Sequence, residues 1–298
     1  MAYNPVVAKP FTVFSKDRLD GSISSQNFNV DLTAPGKEHN SRIKLNHIAF
    51  WHTWKNINTH TKQIRITEDV DAQNDPQTYT FTCTEGNYNA TELAAQLATD
   101  LTTQSAASGQ SITYSCSYDN NADTFTFSTA TAGKTFKFLW SNSLTTMARI
   151  LGFDTSSDSD VVADVAGTPT GAVASIASDL SPLVNGITSV EFHINKFSDG
   201  YNTENANQNS DIMASIPIES LFSESQVYRP NYDEIVFNLP NLHNQVNFRL
   251  SCNFNNGVGR VDLPSNSDWS ISFADLESSV HQDHKAIKTL AATGYLGN

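Results

Sequence analysis

Residues 245–254 read Gln-Val-Asn-Phe-Arg-Leu-Ser-Cys-Asn-Phe, with Val246, Phe248, Leu250, Cys252 and Phe254 at every second place. Successive side chains of a strand point to opposite faces, so this run presents one apolar and one polar face. Asn256-Gly257 follows directly. That pair suits a two-residue hairpin turn, because both central positions need positive φ. The same period of two recurs in Phe28-Val30-Leu32, Val190-Phe192-Ile194, Ile216-Ile218, Ile235-Phe237-Leu239 and Trp269-Ile271-Phe273. Ile43 and Leu45 share one phase, whereas Ile48 and Phe50 share the other. Either this strand is buried on both faces or a bulge near Asn46 shifts its phase. About eight strands separated by turn residues define an all-β, mainly antiparallel chain, read as a single jelly-roll Greek-key sandwich. Pattern alone does not separate barrel from sandwich.

Composition supports this class. Asn, Ser and Thr fill roughly a third of the 298 residues. Their side chains compete for backbone hydrogen bonds and so disfavour long helices. Hydrophobic residues make up 39% and charged residues 16%, unlike a disordered acidic tail or a membrane protein. No window of about 18 apolar residues occurs, and Met1 to Phe14 lacks the basic-then-apolar layout of a signal peptide. Eighteen Lys+Arg against a net charge of −13 leave no footprint for direct nucleic-acid binding.

One stretch departs from the strand pattern. After strand Thr78–Thr84 and Gly86, Asn89 is placed as a helix N-cap with Glu92 three residues on, and Tyr88 is placed to staple onto Leu93. Leu93, Leu97 and Leu101 then recur every fourth residue beside Ala90, Ala94 and Ala98. This thin apolar face suits packing onto a sheet. Alternating strands at Ile112–Tyr118 and Phe125-Phe127 follow, joined by Asp119–Asp123, and then Phe136 and Phe138. Leu144, Met147, Ile150 and Leu151 predict a short helix ending at Gly152. The expected organisation is an extended N-terminal arm (1–20), a jelly roll (21–76 and 182–276), an inserted small α+β unit (77–153), a surface loop (154–181) and a C-terminal tail (277–298).

Residue types that carry chemistry are present without the spacing that chemistry needs. His47 and His52 are expected on opposite faces of a strand, and His281 and His284 lie in the polar tail. Asp119-Asn120-Asn121-Ala122-Asp123 imitates the opening of a calcium loop but has Thr124 where that loop needs glycine. Glu191 and Glu219 are the kind of strand-borne carboxylates a glycosidase would pair, but they read as exposed faces of half-buried strands. Trp51, Trp54, Trp140 and Trp269 suit core or interface packing better than a sugar platform. Asn89-Ala90-Thr91 matches a glycosylation acceptor, though Asn89 is already the cap. Cys83, Cys116 and Cys252 are too few for a disulfide framework, and a Cys83–Cys116 bridge remains an alternative to free thiols. No G-x-S-x-G elbow, phosphate-cradling loop or H-E-x-x-H occurs. The chain does not read as an enzyme, no cofactor or metal is expected, and no residue is assigned as a site.

The run Glu85-Gly86-Asn87-Tyr88-Asn89-Ala90-Thr91-Glu92-Leu93, continuing to Leu97, resembles the G-x-Y-x-x-x-E-L-x-x-x-L element of penton-type minor capsid proteins. These belong to virophages, Polinton-like viruses and related large DNA viruses. A similar Tyr/Phe hairpin and a Leu-Gly-Phe, here Leu151-Gly152-Phe153, follow in that family. The closing third is similar too, with Ile216-Pro217-Ile218, Val227-Tyr228-Arg229-Pro230 and Asp268-Trp269-Ser270-Ile271, whereas the hairpin Asn255–Arg260 departs from the family's acidic pattern. The resemblance implies a jelly roll that assembles as a homopentamer at the fivefold vertices of a virion. Its partners would be its own copies, the major capsid protein and other capsid proteins. A host-attachment spike or fibre head that binds a cell-surface receptor is the alternative.

Overall fold

The computed structural model describes residues 7–31, 42–69, 76–164, 166–167, 170–184, 187–194, 200–201, 209–210, 212–230, 237–238, 245–254, 259–263 and 267–277. The chain divides into two units, one of residues 1–53, 189–251 and 265–298, the other of residues 54–188 and 252–264.

The first unit holds two antiparallel sheets. One runs β1 (Val7–Phe14), β19 (Ser270–Glu277), β3 (Arg42–Trp51), β15 (Ser225–Tyr228), with β16 (Phe237–Asn238) also on β3. The other runs β14 (Ile212–Pro217), β11 (Ser189–Ile194), β17 (Gln245–Phe254), β18 (Gly259–Asp262), with β2 (Asn27–Asp31) also on β17, while β12 (Gly200–Tyr201) pairs with β13 (Asn209–Ser210) as a two-stranded ribbon. Taking β1, β2, β3, β11, β14, β15, β17 and β19 as eight successive strands, the first, eighth, third and sixth form one sheet. The second, seventh, fourth and fifth form the other. This is the jelly-roll order, and the architecture is a sandwich. Its interior is aromatic. Phe28, Phe192 and Phe248 of one sheet face Phe273 and Trp269 of the other, and Phe192 stands edge-on to Trp269 with ring centroids 5.9 Å apart. All five rings are at most 3% exposed.

Two sequence expectations are resolved here. In β19 and β3, Ser272 pairs with His47 and Phe273 with Leu45, so Asn46 is an extra residue. This bulge lets Leu45, Ile48 and Phe50 all turn inward. The expected N-terminal arm instead contains β1, paired with β19 in register from Val7–Glu277 to Phe14–Ser270. Pro10 has no N–H to donate, which confines it to an edge strand, and β1 lies at the edge. Phe11 stacks on Phe273 at 5.2 Å and Val13 is buried.

The second unit combines a sheet β5 (Gln77–Thr82), β4 (Gln63–Glu68), β8 (Thr135–Phe138), β9 (Val162–Ala163) with a sheet β10 (Ser175–Ala177), β7 (Thr124–Thr129), β6 (Tyr114–Asp119). Helix α1 (Ala90–Ser108) packs against β5 and β6. Leu93, Leu97 and Leu101 are fully buried, as the fourfold spacing requires. The unit reaches beyond 77–153 at both ends, because Ile57, Ile64 and Ile66 before it and Val162 after it join its core. The expected loop 154–181 contributes β9 and β10, strands too short to show a period.

The expected helix at Leu144–Leu151 is a single turn, closed by Leu151 N–H to Met147 O and Phe153 N–H to Ala148 O. Its N-terminal half bonds elsewhere. Thr146 and Met147 donate to Gln63 O, while the Thr145 and Thr146 hydroxyls accept from Arg65 and Gln63 N–H. Gly152 ends the turn at φ +79°, and a Cβ there would stand 2.1 Å from Leu180 O. Ile235, Leu239, Asn256-Gly257 and the tail from 278 lie outside the described residues.

Candidate functional site

The weighed residues can now be placed. Asn89 caps α1 in a full capping box, its Oδ1 accepting from Glu92 N–H at 2.9 Å while Glu92 Oε2 accepts from Asn89 N–H at 2.9 Å. Gly86 just upstream makes room for the Tyr88 ring, whose Cζ would lie 2.5 Å from a Cβ there. The Tyr88 hydroxyl donates to Thr84 O at 3.1 Å. Asp119 turns inward on its own hairpin, its Oδ1 accepting from the Asn121 and Ala122 N–H groups. This is turn chemistry. Tyr118 hydroxyl donates to Asp123 at 2.5 Å and holds that carboxyl below its ordinary range.

The histidines serve separate ends. His47 lies beside the bulge, opposite Ser272. The His52 Nδ1 meets Ser220 O at 2.9 Å, so that nitrogen carries the proton, and its ring stands edge-on to Phe222. His39, His243, His281 and His284 lie outside the described residues. Among the described residues no three His, Cys, Asp or Glu side chains converge as metal ligands.

Glu191 is half-buried rather than simply solvated. On β11 and β17, His193 Nε2 lies 2.6 Å from Ser251 Oγ, and Glu191 Oε2 lies 3.5 Å from that oxygen and 3.7 Å from the same Nε2. In a hydrolytic triad the carboxylate holds the other ring nitrogen, so that the imidazole passes a proton between two faces. Here serine and carboxylate share one nitrogen, and Ser251 is fully buried. The trio links β11 to β17 on the face away from the aromatic rings. Glu219 follows β14 on an exposed turn, its N–H directed to Gln226 Oε1.

Three tryptophans are core. Trp140 stacks on Phe153 at 4.4 Å, Trp54 is 1% exposed, and Trp269 donates its Nε1–H to Ser25 O at 2.6 Å. Trp51 is the exception at 52% exposed. The cysteines are free thiols. Burial pushes Cys83 up to about 12 and raises Cys116 as well.

One cluster escaped the sequence reading. Glu68 closes β4 with no exposed surface and accepts hydroxyl donations from Tyr79 (3.1 Å), Tyr114 (2.6 Å) and Ser108 (3.1 Å). Burial first, and then the Glu68 charge, raise both phenols well above their ordinary value. Next to it, Asp69 sits at φ +52°, 2% exposed, paired with the Lys134 ammonium, which also donates to Gln110. The signal was present in the sequence. Ile64, Ile66 and Glu68 keep one period of two, although Glu68 also opens the polar stretch that reads as a loop.

No protein-family model matches the sequence, nor does any curated protein sequence. Among the solved structures similar to the chain are two from virophages. One is a mavirus penton protein, 10% identical, covering 92% of this chain and 99% of that one with a TM-score of 0.48. The other is a chain from the Sputnik virophage structure, 11% identical, covering 94% and 99% with a TM-score of 0.41.

Proposed function

We propose that this chain is a structural virion protein, a penton that assembles into homopentamers and closes the fivefold vertices of an icosahedral capsid. One observation carries the reading. An eight-strand jelly roll is interrupted between β3 and β11 by an α+β body, and the helix of that body is introduced by the Gly86-x-Tyr88…Glu92-Leu93…Leu97 element. The order of element, hairpin, Leu-Gly-Phe and closing strands is that of penton-type minor capsid proteins. Among the described residues, Asn89, Asp119 and Glu68 serve a helix cap, a turn and core hydrogen bonds, which suits a structural role. The partners in this reading are other copies of the chain, the major capsid protein and further capsid components, with no direct contact to nucleic acid.

The absolute mass of the purified full-length chain tests it. Native mass spectrometry is expected to give about 163 kDa, five times the 32.6 kDa protomer. A trimer would exclude the pentamer and favour a fibre head.

A further inference from the structure

Six of the large apolar side chains left exposed gather at one end of one sheet. β1, β19, β3 and β15 place Phe14, Ser270, Ala49 and Val227 in one row across four strands. Val13, Ile48, Phe50 and Ile271 are buried on the inner face, so this row lies on the outer face, with Trp51 two residues further along β3. Phe14 is 41%, Trp51 52% and Val227 51% exposed. Phe14, Ala49, Trp51 and Ser270 line a shallow depression of about 190 Å³.

Two apolar projections stand beside it. The turn between β14 and β15 is pinned to the end of β3 by Ser223 N–H to His52 O and His52 N–H to Glu224 O, which brings Leu221 (72% exposed) and Phe222 (41%) to the same end of the sheet, Phe222 against the His52 ring. The loop before β2 is pinned to the start of β19 by Gln26 Nε2–H to Ser267 O and Trp269 Nε1–H to Ser25 O, which brings Ile23 (77% exposed) to the same end. These contacts hold the projections in place before any partner arrives, so little ordering entropy opposes docking.

We propose that this end of the sheet is an interface between copies of this chain. The assignment rests on the self-assembly proposed above and deepens it by naming the surface. Two features select a second copy as the occupant. At ordinary side-chain areas the six residues together expose on the order of 600 Å² at this end, near the ~800 Å² that one partner brings to a standard interface. The second feature is charge. The chain carries −13 overall, yet the rim here sets Lys16 and Arg18 against Asp17 and Asp268, and the Glu224 carboxylate is turned onto Leu221 N–H. A copy can approach here with less repulsion than the net charge would impose elsewhere.

The test is light scattering of the full-length chain over a range of concentration and salt, comparing the parent with Trp51→Glu/Leu221→Glu. The parent is expected to associate, more strongly as salt screens its net charge. The double variant should raise the concentration for half-association at least tenfold with unchanged circular dichroism. Leu144→Glu/Leu180→Glu, equally exposed in the second unit, should leave association unchanged. Phe14→Ser/Val227→Ser repeats the test at the opposite corner if the first pair fails to fold. A parent oligomer that both patch variants preserve overturns the interface and leaves self-assembly standing. A parent that stays monomeric under all conditions overturns both.

Discussion

The two units bury polar groups in different ways. In the sandwich, fully or nearly buried polar side chains are spent on strand ends. Gln26 reaches Ser267 O, Gln226 reaches Pro217 O, and Ser15 Oγ accepts from Trp269 N–H, all around an interior of phenylalanine rings. Among the described residues of the sandwich, the buried His193 sits on the face of β11 away from those rings. The second unit instead places phenols, a carboxylate and thiols in its core, with Glu68 bonded to Tyr79 and Tyr114 while Tyr114 packs on Phe136 at 4.8 Å. A core of rings answers mainly to shape. A core with ionisable groups answers to pH as well.

The largest effects should be the same in both units, which makes them the baseline. Phe248→Ala in the sandwich and Phe127→Ala in the second unit each remove a ring at most 1% exposed. Each should cost about 3–5 kcal/mol, from lost transfer free energy plus an unfilled cavity. Chemical denaturation at pH 7 measures both. A loss under about 1 kcal/mol in one of them would mean that its core collapses around the gap, and the comparison would fail at its first step.

Alkali should separate the units. Tyr79, Tyr114, Cys83 and Cys116 all belong to the second unit, and all have folded-state values raised chiefly by burial. The native state then keeps protons that the unfolded chain gives up. Their stabilisation is complete below the ordinary thiol value of 9.0 and falls as pH rises from there through about 12 for Cys83. Each group removes about 1.4 kcal/mol per pH unit once its unfolded counterpart ionises. Unfolding midpoints followed from pH 8 to 11 should drop with increasing slope. The loss should appear first in amide exchange of α1 and β6. Glu68→Gln keeps an acceptor but removes the charge that helps raise both phenols, so the folded variant's phenols should ionise at lower pH than the parent's although its stability at pH 7 is lower. Phenolate absorbance that rises at the same pH in both folded proteins would show that the phenols are not coupled to Glu68.

What could be read from the sequence follows the same divide. Strands with four or five alternating apolar residues, such as β17, declare themselves because one face is buried, here Val246, Phe248, Leu250 and Cys252. The bulge at Asn46 was legible as a phase break between Leu45 and Ile48. β1 was not, because Pro10 interrupts it and, among its described side chains, two apolar residues, Phe11 and Val13, share the inner face. The single turn at Met147–Phe153 carries helical spacing, but Thr145 and Thr146 commit its neighbourhood to β4, and no local pattern reveals that. Glu68 is the sharpest case. Its period was visible, but its burial depends on Tyr79, Ser108 and Tyr114 arriving from three other elements. Trp51 is the reverse, an aromatic at the end of an apolar run whose exposure is decided by which face the bulge turns outward.

The smallest effect tests the feature where local sequence and structure agree most closely. Asn89→Ala removes the oxygen that accepts from Glu92 N–H but leaves the reciprocal bond from Asn89 N–H to Glu92 Oε2. Half of the capping box therefore survives, and the expected loss is about 1 kcal/mol, within the usual 0.5–2 kcal/mol for such caps. Asn89→Asp should recover it, since a carboxylate offers the same acceptor and interacts favourably with the positive end of α1. The alanine loss should appear in the second unit's exchange rates and leave β17 and β19 untouched. An aspartate variant no better than alanine would mean that Asn89 acts through its packing beside Tyr88 rather than as a cap. The legibility of α1 in the sequence would then have had a different physical cause.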